Sequence, residues 1–221
     1  MSKKIYINAG HSDKDPGAVG YATERDLNVR TANFMNAYLL ANYDCQTKLN
    51  PGTMGSLPTI ATDANSWGAD LFVSIHNNAG GGDGYEALVY STSSKDLGQV
   101  FEKHVKAVGQ NSRGVKYRPD LGVLRLTNMP AVLNEGAFVD NKTDIEDWND
   151  DAELKVLGEA YAKAAAEFLG LEKKVSQPVE TEPQYIYRVQ VGAYSKRANA
   201  EALLKDLQAA GFGGIIVKGE K

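Results

Sequence analysis

The sequence predicts an α/β fold with a three-layer, mostly parallel central sheet and helices on both faces, followed by a small C-terminal β-α-β unit. Three observations carry this. Short apolar runs of strand length alternate with longer segments of helical periodicity along residues 4–170. Three of the runs end in a chemically active side chain beside a glycine or asparagine turn. A proline- and charge-rich stretch then separates a last short segment.

Ile5-Tyr-Ile-Asn-Ala-Gly-His11 reads as a buried strand that stops on glycine and places His11 at the rim of the sheet. Open α/β sheets bind their ligands there, so His11 is the first candidate metal ligand. The loop after it, Ser-Asp-Lys-Asp-Pro-Gly, is rich in turn formers and ends at Thr23-Glu-Arg-Asp26, which has capping-box spacing. Leu27, Thr31, Phe34, Met35, Tyr38 and Leu39 recur at helical spacing and predict an amphipathic helix over 24–42. Glu24 falls in its first turn. Taken alone it reads as a carboxylate favoured by the helix dipole.

Residues 45–49 read as a short strand, and Leu57, Ile60, Ala61, Ala64 and Trp67 as a second helix. Ala69-Asp-Leu-Phe-Val-Ser-Ile-His76 is apolar enough to be buried on both faces, and it too ends in a histidine, followed by Asn77-Asn78-Ala79 and glycines. His76 is the second candidate ligand. Tyr85–Tyr90 predicts another strand, and Ser94 caps a helix bearing Leu97, Val100, Phe101, His104 and Val108. His104 reads as a mid-helix residue partly packed on the sheet. Residues 121–126, Leu-Gly-Val-Leu-Arg-Leu, read as one more strand.

Met129-Pro-Ala-Val-Leu-Asn-Glu135-Gly repeats the pattern of the first two sites with a carboxylate at the strand end. Low-dielectric surroundings would raise the pKa of Glu135 and suit it to proton transfer near neutrality, unless it pairs with Arg113 or Arg118. Asp140–Asp144 reads as a turn and Asp144–Asp151 as a solvated acidic face. A last helix over about 152–169 buries Leu154, Leu157, Tyr161, Ala164 and Phe168. Residues 172–184 have linker composition, which bounds a domain at 1–171 and a second unit at 185–221. Within that unit 185–191 and 214–217 read as strands and 199–210 as a helix, a unit that is marginal alone.

Composition excludes several classes. At 43% hydrophobic and 24% charged, the 221-residue chain reads as globular, with no run of eighteen apolar residues. Its N-terminus does not read as a signal peptide, so the expectation is synthesis in the cytoplasm. The net charge of −4 divides into +3 for residues 185–221 (six Lys/Arg, three Asp/Glu) and hence −7 for 1–184, too mild for a nucleic-acid partner. The single cysteine, Cys45, reads as structural.

Two histidines and a glutamate converging on a sheet edge match a catalytic zinc site with an open position for water. Zinc lowers the pKa of that water from about 15.7 to about 7, and a second glutamate can pass its proton to a leaving amine. The separations of 13, 52 and 59 residues between His11, Glu24, His76 and Glu135 are not a short zinc motif. The weight rests on strand-end placement.

Asn8-Ala-Gly-His11, Glu24-Arg-Asp-Leu-Asn, Ser74-Ile-His76-Asn-Asn-Ala and Pro130-Ala-Val-Leu-Asn-Glu135-Gly-Ala-Phe resemble, in this order over about residues 4–170, the motifs of zinc-dependent N-acetylmuramoyl-L-alanine amidases of the amidase-3 type. The resemblance implies that His11, Glu24 and His76 bind Zn²⁺ and that Glu135 is the catalytic acid/base. It also implies a peptidoglycan hydrolase, an endolysin or autolysin, that cuts the bond between the lactyl group of muramic acid and L-alanine. Such an enzyme would act on the cell wall after holin-mediated or lytic release. Ser12-Asp13, where many relatives carry glycines, and Asn134, in place of an apolar residue, are departures that bear on substrate preference. Tyr187-Arg-Val-Gln-Val-Gly-Ala-Tyr-Ser-Lys-Arg resembles the opening of a SPOR-type repeat, a peptidoglycan-binding module with two β-α-β units, of which one is present. A homodimer could complete its sheet. The alternatives are a zinc peptidase acting on stem peptides and a non-catalytic cell-wall-binding protein.

Overall fold

The computed structural model describes residues 2–174 and 189–218. These fall into two units, divided between Val175 and Ser176. In the first, six strands, β1 (Lys3–Ala9), β2 (Cys45–Asn50), β3 (Leu71–Asn78), β4 (Tyr85–Val89), β5 (Ser112–Tyr117) and β6 (Ala131–Phe138), form one sheet in the order β2-β1-β3-β6-β4-β5. Neighbours are parallel except β4 and β6, which run antiparallel. Helices cover both faces, as predicted.

On one face lie α1 (Glu24–Asn42), α3 (Lys95–Lys106) and α6 (Asp151–Leu169). Their apolar stripes, including Leu27, Met35, Phe101, Leu157 and Tyr161, close over Ile5, Ile7, Val73 and Val132 of the sheet. Burial of this many large side chains is what holds the three layers together. On the other face α2 (Leu57–Trp67) and the single turn α4 (Gly122–Leu126) bring Ile60, Ala64, Val123 and Leu124 onto Tyr6, Phe72, Leu88 and Leu133. Tyr6 and Phe72 stack with ring centroids 5.5 Å apart.

Helix boundaries follow local chemistry. Ser56 Oγ accepts from the Thr59 N–H at the start of α2, and Asp150 with Glu153 forms a full capping box at the start of α6. The capping box expected at Thr23 does not form, since the Thr23 side chain makes no cap hydrogen bond. The carboxylates of that turn are used elsewhere, as described below.

Several expectations are corrected. Residues 121–126 form α4 rather than a strand, because Val123 and Leu124 are drawn onto the α2 face of the sheet. The strand at the sheet edge is instead β5, whose Ser-Arg-Gly-Val-Lys-Tyr carries little apolar signal. The acidic segment after Asp140 is solvated at Glu146, Asp147, Asp150 and Asp151, as expected, but not at Asp144. Asn141 caps α5 (Lys142–Asp147), and Asp144 is buried, accepting from the Phe138 N–H at 2.7 Å, the Gly84 N–H at 2.9 Å and Gln110 Nε2 at 3.0 Å. Cys45 is half-buried, and burial raises its thiol pKa, in keeping with a structural role.

In the second unit α7 (Arg197–Ala209) matches the predicted helix. Residues 214–217 are not a strand, and neither is 189–191; the rest of the strand expected at 185–191 lies outside the described residues, as does most of the linker. Every α7 residue is at least partly exposed, so among the described residues this unit shows no core against which a strand could be held. Among the described residues, no helix is long and apolar enough to cross a membrane.

Candidate metal centre and active site

The central strands β1, β3 and β6 point the same way, and their C-terminal ends bring the predicted residues together. β1 stops at Ala9, two residues before His11, which takes a left-handed backbone with φ 69°. Histidine is tolerated there at a cost of about 1–3 kcal/mol, and such strain collects at functional sites. The turn aims its imidazole back at Glu24, the first residue of α1. Glu24 is buried and bridges the two histidines: Oε2 lies 2.9 Å from Nε2 of His11 and Oε1 lies 2.9 Å from Nδ1 of His76. The Ala18 N–H at 2.9 Å and the Asn77 N–H at 3.2 Å complete its shell.

These three residues offer donor atoms all within 4.8 Å of one another. Burial opposes the Glu24 charge, but the hydrogen bonds from His11 and His76 outweigh it and hold its pKa far below the ordinary range. The same hydrogen bond from Glu24, with help from Asp15, lifts His11 to about 9 against the desolvation that opposes it. Asp15 Oδ2 lies 3.1 Å from His11 Nδ1, the ring nitrogen turned away from Glu24. A carboxylate in that position orients an imidazole for metal binding. Three buried or half-buried donors with no other cation among them fit a divalent metal of the zinc type.

Glycines make room for this packing. A Cβ on Gly10 would overlap the His76 ring, and one on Gly17, whose φ is +70°, would overlap both Glu24 and His11. Asn28, one turn beyond Glu24, donates to Gly10 O at 3.2 Å and accepts from Asn77 Nδ2 at 2.9 Å. It ties α1 to the ends of β1 and β3.

Glu135 is the register partner of His76 across β3 and β6. β6 runs on to Phe138, so Glu135 lies within the strand rather than at its end, opposite Glu86 of β4. Its Oε2 is buried without a hydrogen-bond partner. Arg113 lies instead on Glu86 and Arg118 on Asp120, so neither neutralises it. Burial pushes its pKa up to about 7, with Glu24 and Glu86 adding repulsion and the two histidines only partly offsetting it. A carboxyl group that exchanges its proton near neutrality is suited to acid/base work.

His11, Glu24 and His76 are therefore brought together, with Glu135 beside His76 across the β3–β6 pair. His104 stays apart, its Nε2 2.8 Å from Glu167 on α6. The supporting roles of Asp15, Asn28, Asn77 and Glu86 were missed in the sequence. Asn28 stands four residues after Glu24, on the same helix face, and that spacing was the available signal.

Comparison with known proteins agrees with this geometry. Residues 5–167 match the family described as N-acetylmuramoyl-L-alanine amidase, and residues 158–218 match the SPOR domain. The chain is 34% identical to the N-acetylmuramoyl-L-alanine amidase CwlM of Bacillus licheniformis, over 97% of this chain and 84% of the relative. It is 37% identical to the endolysin of Bacillus phage SPP1, over 79% of this chain and 69% of that protein. The catalytic domain of CwlV, the N-acetylmuramoyl-L-alanine amidase from Bacillus (Paenibacillus) polymyxa var. colistinus, superposes with a TM-score of 0.72 at 29% identity, covering 77% of this chain and 99% of that domain.

Proposed function

The chain belongs to the N-acetylmuramoyl-L-alanine amidase family, and from that premise we propose how its residues divide the work. The enzyme is a peptidoglycan hydrolase of the amidase class. In the proposed assignment His11, Glu24 and His76 hold Zn²⁺, and Glu135 is the catalytic acid/base. The observation that carries it is the convergence of three ligand-type donors within 4.8 Å of one another beside Glu135, whose Oε2 is buried without a hydrogen-bond partner.

A zinc ion held by these three residues would polarise a carbonyl as a Lewis acid and lower the proton affinity of a bound water. The chain's own residues do the rest. Glu135 Oε2, free of other hydrogen bonds, takes a proton from the attacking water. It then returns that proton to the amide nitrogen of L-alanine as the bond to the lactyl carbonyl breaks, which leaves a carboxylate on muramic acid and a free amine on the stem peptide. Its pKa near 7 lets one group serve both steps. Asp15 holds the His11 ring from behind, and Asn28 fixes the strand ends that carry both histidines.

The proposed organisation is a catalytic domain at 1–171, a linker at 172–184 and a SPOR-like wall-binding repeat at 185–221. The SPOR match begins at residue 158, inside α6, yet Tyr161, Ala162 and Ala164 are core residues of the first unit, so its opening residues belong physically to the catalytic domain. The proposed site of action is the bacterial cell wall.

Identification of the amino termini released from purified peptidoglycan tests this reading. New L-alanine termini without new reducing sugars support it. Termini from an inner stem residue would assign a peptidase instead.

A further inference from the structure

We propose that Arg113 and Lys116 form a subsite for a stem-peptide carboxylate, that of the glutamate following L-alanine. The inference rests on the amidase reading of the site and names what lies beside it. His76, Glu135 and Glu86 are register partners on β3, β6 and β4, so their side chains form one row on one face of the sheet. At the end of that row two cations share one oxygen. Arg113 Nε lies 2.6 Å from Glu86 Oε1, and Lys116 Nζ pairs with the same atom. The other oxygen, Oε2, accepts from Asn78 at 3.3 Å.

One cation would neutralise Glu86. Two leave a surplus positive charge beside the reacting centre, in a part of the chain that otherwise carries net negative charge. Glu86 is buried, whereas the side chains of Arg113 and Lys116 are 42% and 41% exposed, so the surplus is open to solvent. The Arg113 guanidinium also lies over the Phe138 ring, 5.3 Å from its centroid, which fixes its plane. No acceptor among the described residues engages its Nη groups, in contrast to Arg118, whose Nε and Nη2 are both held by Asp120 at 2.9 and 2.7 Å. A planar guanidinium with a free edge and an ammonium next to it match a carboxylate.

The position selects which carboxylate. Both cations reach in to Glu86, the register partner of Glu135 on the adjacent strand, about 5 Å away at the usual interstrand spacing. An extended chain covers that in about one and a half residue lengths. A peptide with its first amide at Glu135 therefore reaches the cations near its second residue, the glutamate, present in peptidoglycan as free acid or as carboxamide.

The experiment compares two synthetic muramyl tetrapeptides that differ only in that group, acid or carboxamide, with the zinc-loaded 221-residue chain. The expected result is a kcat/KM about tenfold or more higher for the acid, carried by KM, as a charge-assisted contact implies. The Arg113→Gln/Lys116→Gln variant is expected to lose this preference through the acid substrate alone, with zinc content unchanged. Equal kcat/KM for both substrates with the unaltered enzyme overturns the subsite and leaves the amidase reading intact; this comparison needs no variant to fold. An equal fall on both substrates in the variant also overturns it, because the cations would then serve only to neutralise Glu86. No new L-alanine terminus from either substrate overturns the amidase reading and the subsite together.

Discussion

Glu135 and His76 stand side by side as register partners on adjacent parallel strands, one with its Oε2 buried and without a hydrogen-bond partner, the other tied to Glu24. The sheet thus sets the spacing between proton transfer and metal binding through backbone pairing rather than through a loop. Substitution at one position should therefore leave the other function in place.

Glu135→Gln is expected to lower kcat by about 10²–10⁴-fold, the usual contribution of a positioned acid/base, while zinc affinity stays within a few-fold of the parent. Parallel measurements of turnover and zinc titration check this. Loss of zinc binding along with activity would place Glu135 among the ligands instead.

The same substitution reports on pH-dependent stability in the metal-free protein. The pKa of Glu135 is raised from 4.5 to about 7 in the fold, so the folded state binds the extra proton between these values. Stability from this group is then undiminished below about pH 4.5 and falls as pH rises to about 7, by about 3 kcal/mol. Glu135→Gln should accordingly be more stable than the parent at pH 8, with the difference shrinking toward pH 4. Denaturant melts of both metal-free proteins at the two pH values give the comparison.

Gly10→Ala places a Cβ in the space of the His76 imidazole. The ring must move, so zinc affinity should fall by tenfold or more, the scale of effect seen when a ligand's support is disturbed. Isothermal titration with zinc measures it. Unchanged affinity would mean that His76 can bind from another rotamer.

Asp144→Ala removes the acceptor of two buried backbone N–H groups, at Phe138 and Gly84. The expected cost is about 2–4 kcal/mol of folding stability, read from urea melts, with the zinc site unaltered in the protein that remains folded.

The elements legible in the sequence were those whose burial is complete or periodic. β3 announces itself by an apolar run broken only by Ser74 before His76, and α1 and α6 by a single stripe facing the sheet. The site was legible in part for the same reason, since adjacent parallel strands bring the side chains near their C-terminal ends together, although His76 and Glu135 lie inside β3 and β6 and only His11 follows its strand. What stayed hidden depends on partners distant in sequence. β5 is a polar edge strand held by β4 alone, and α4 is too short an apolar run for its periodicity to tell helix from strand. Asp144 reads as surface until Gly84, Gln110 and Phe138 close around it. The left-handed turn at His11 is likewise unreadable, because histidine carries no requirement for it.

Anomalous diffraction at the zinc edge from zinc-soaked crystals of the protein tests the central claim most directly. The account predicts one strong peak within about 2.0–2.2 Å of a nitrogen of His11, a nitrogen of His76 and a carboxylate oxygen of Glu24, with Glu135 nearby but not coordinating. A peak on other residues, or coordination by Glu135 in place of Glu24, would contradict it.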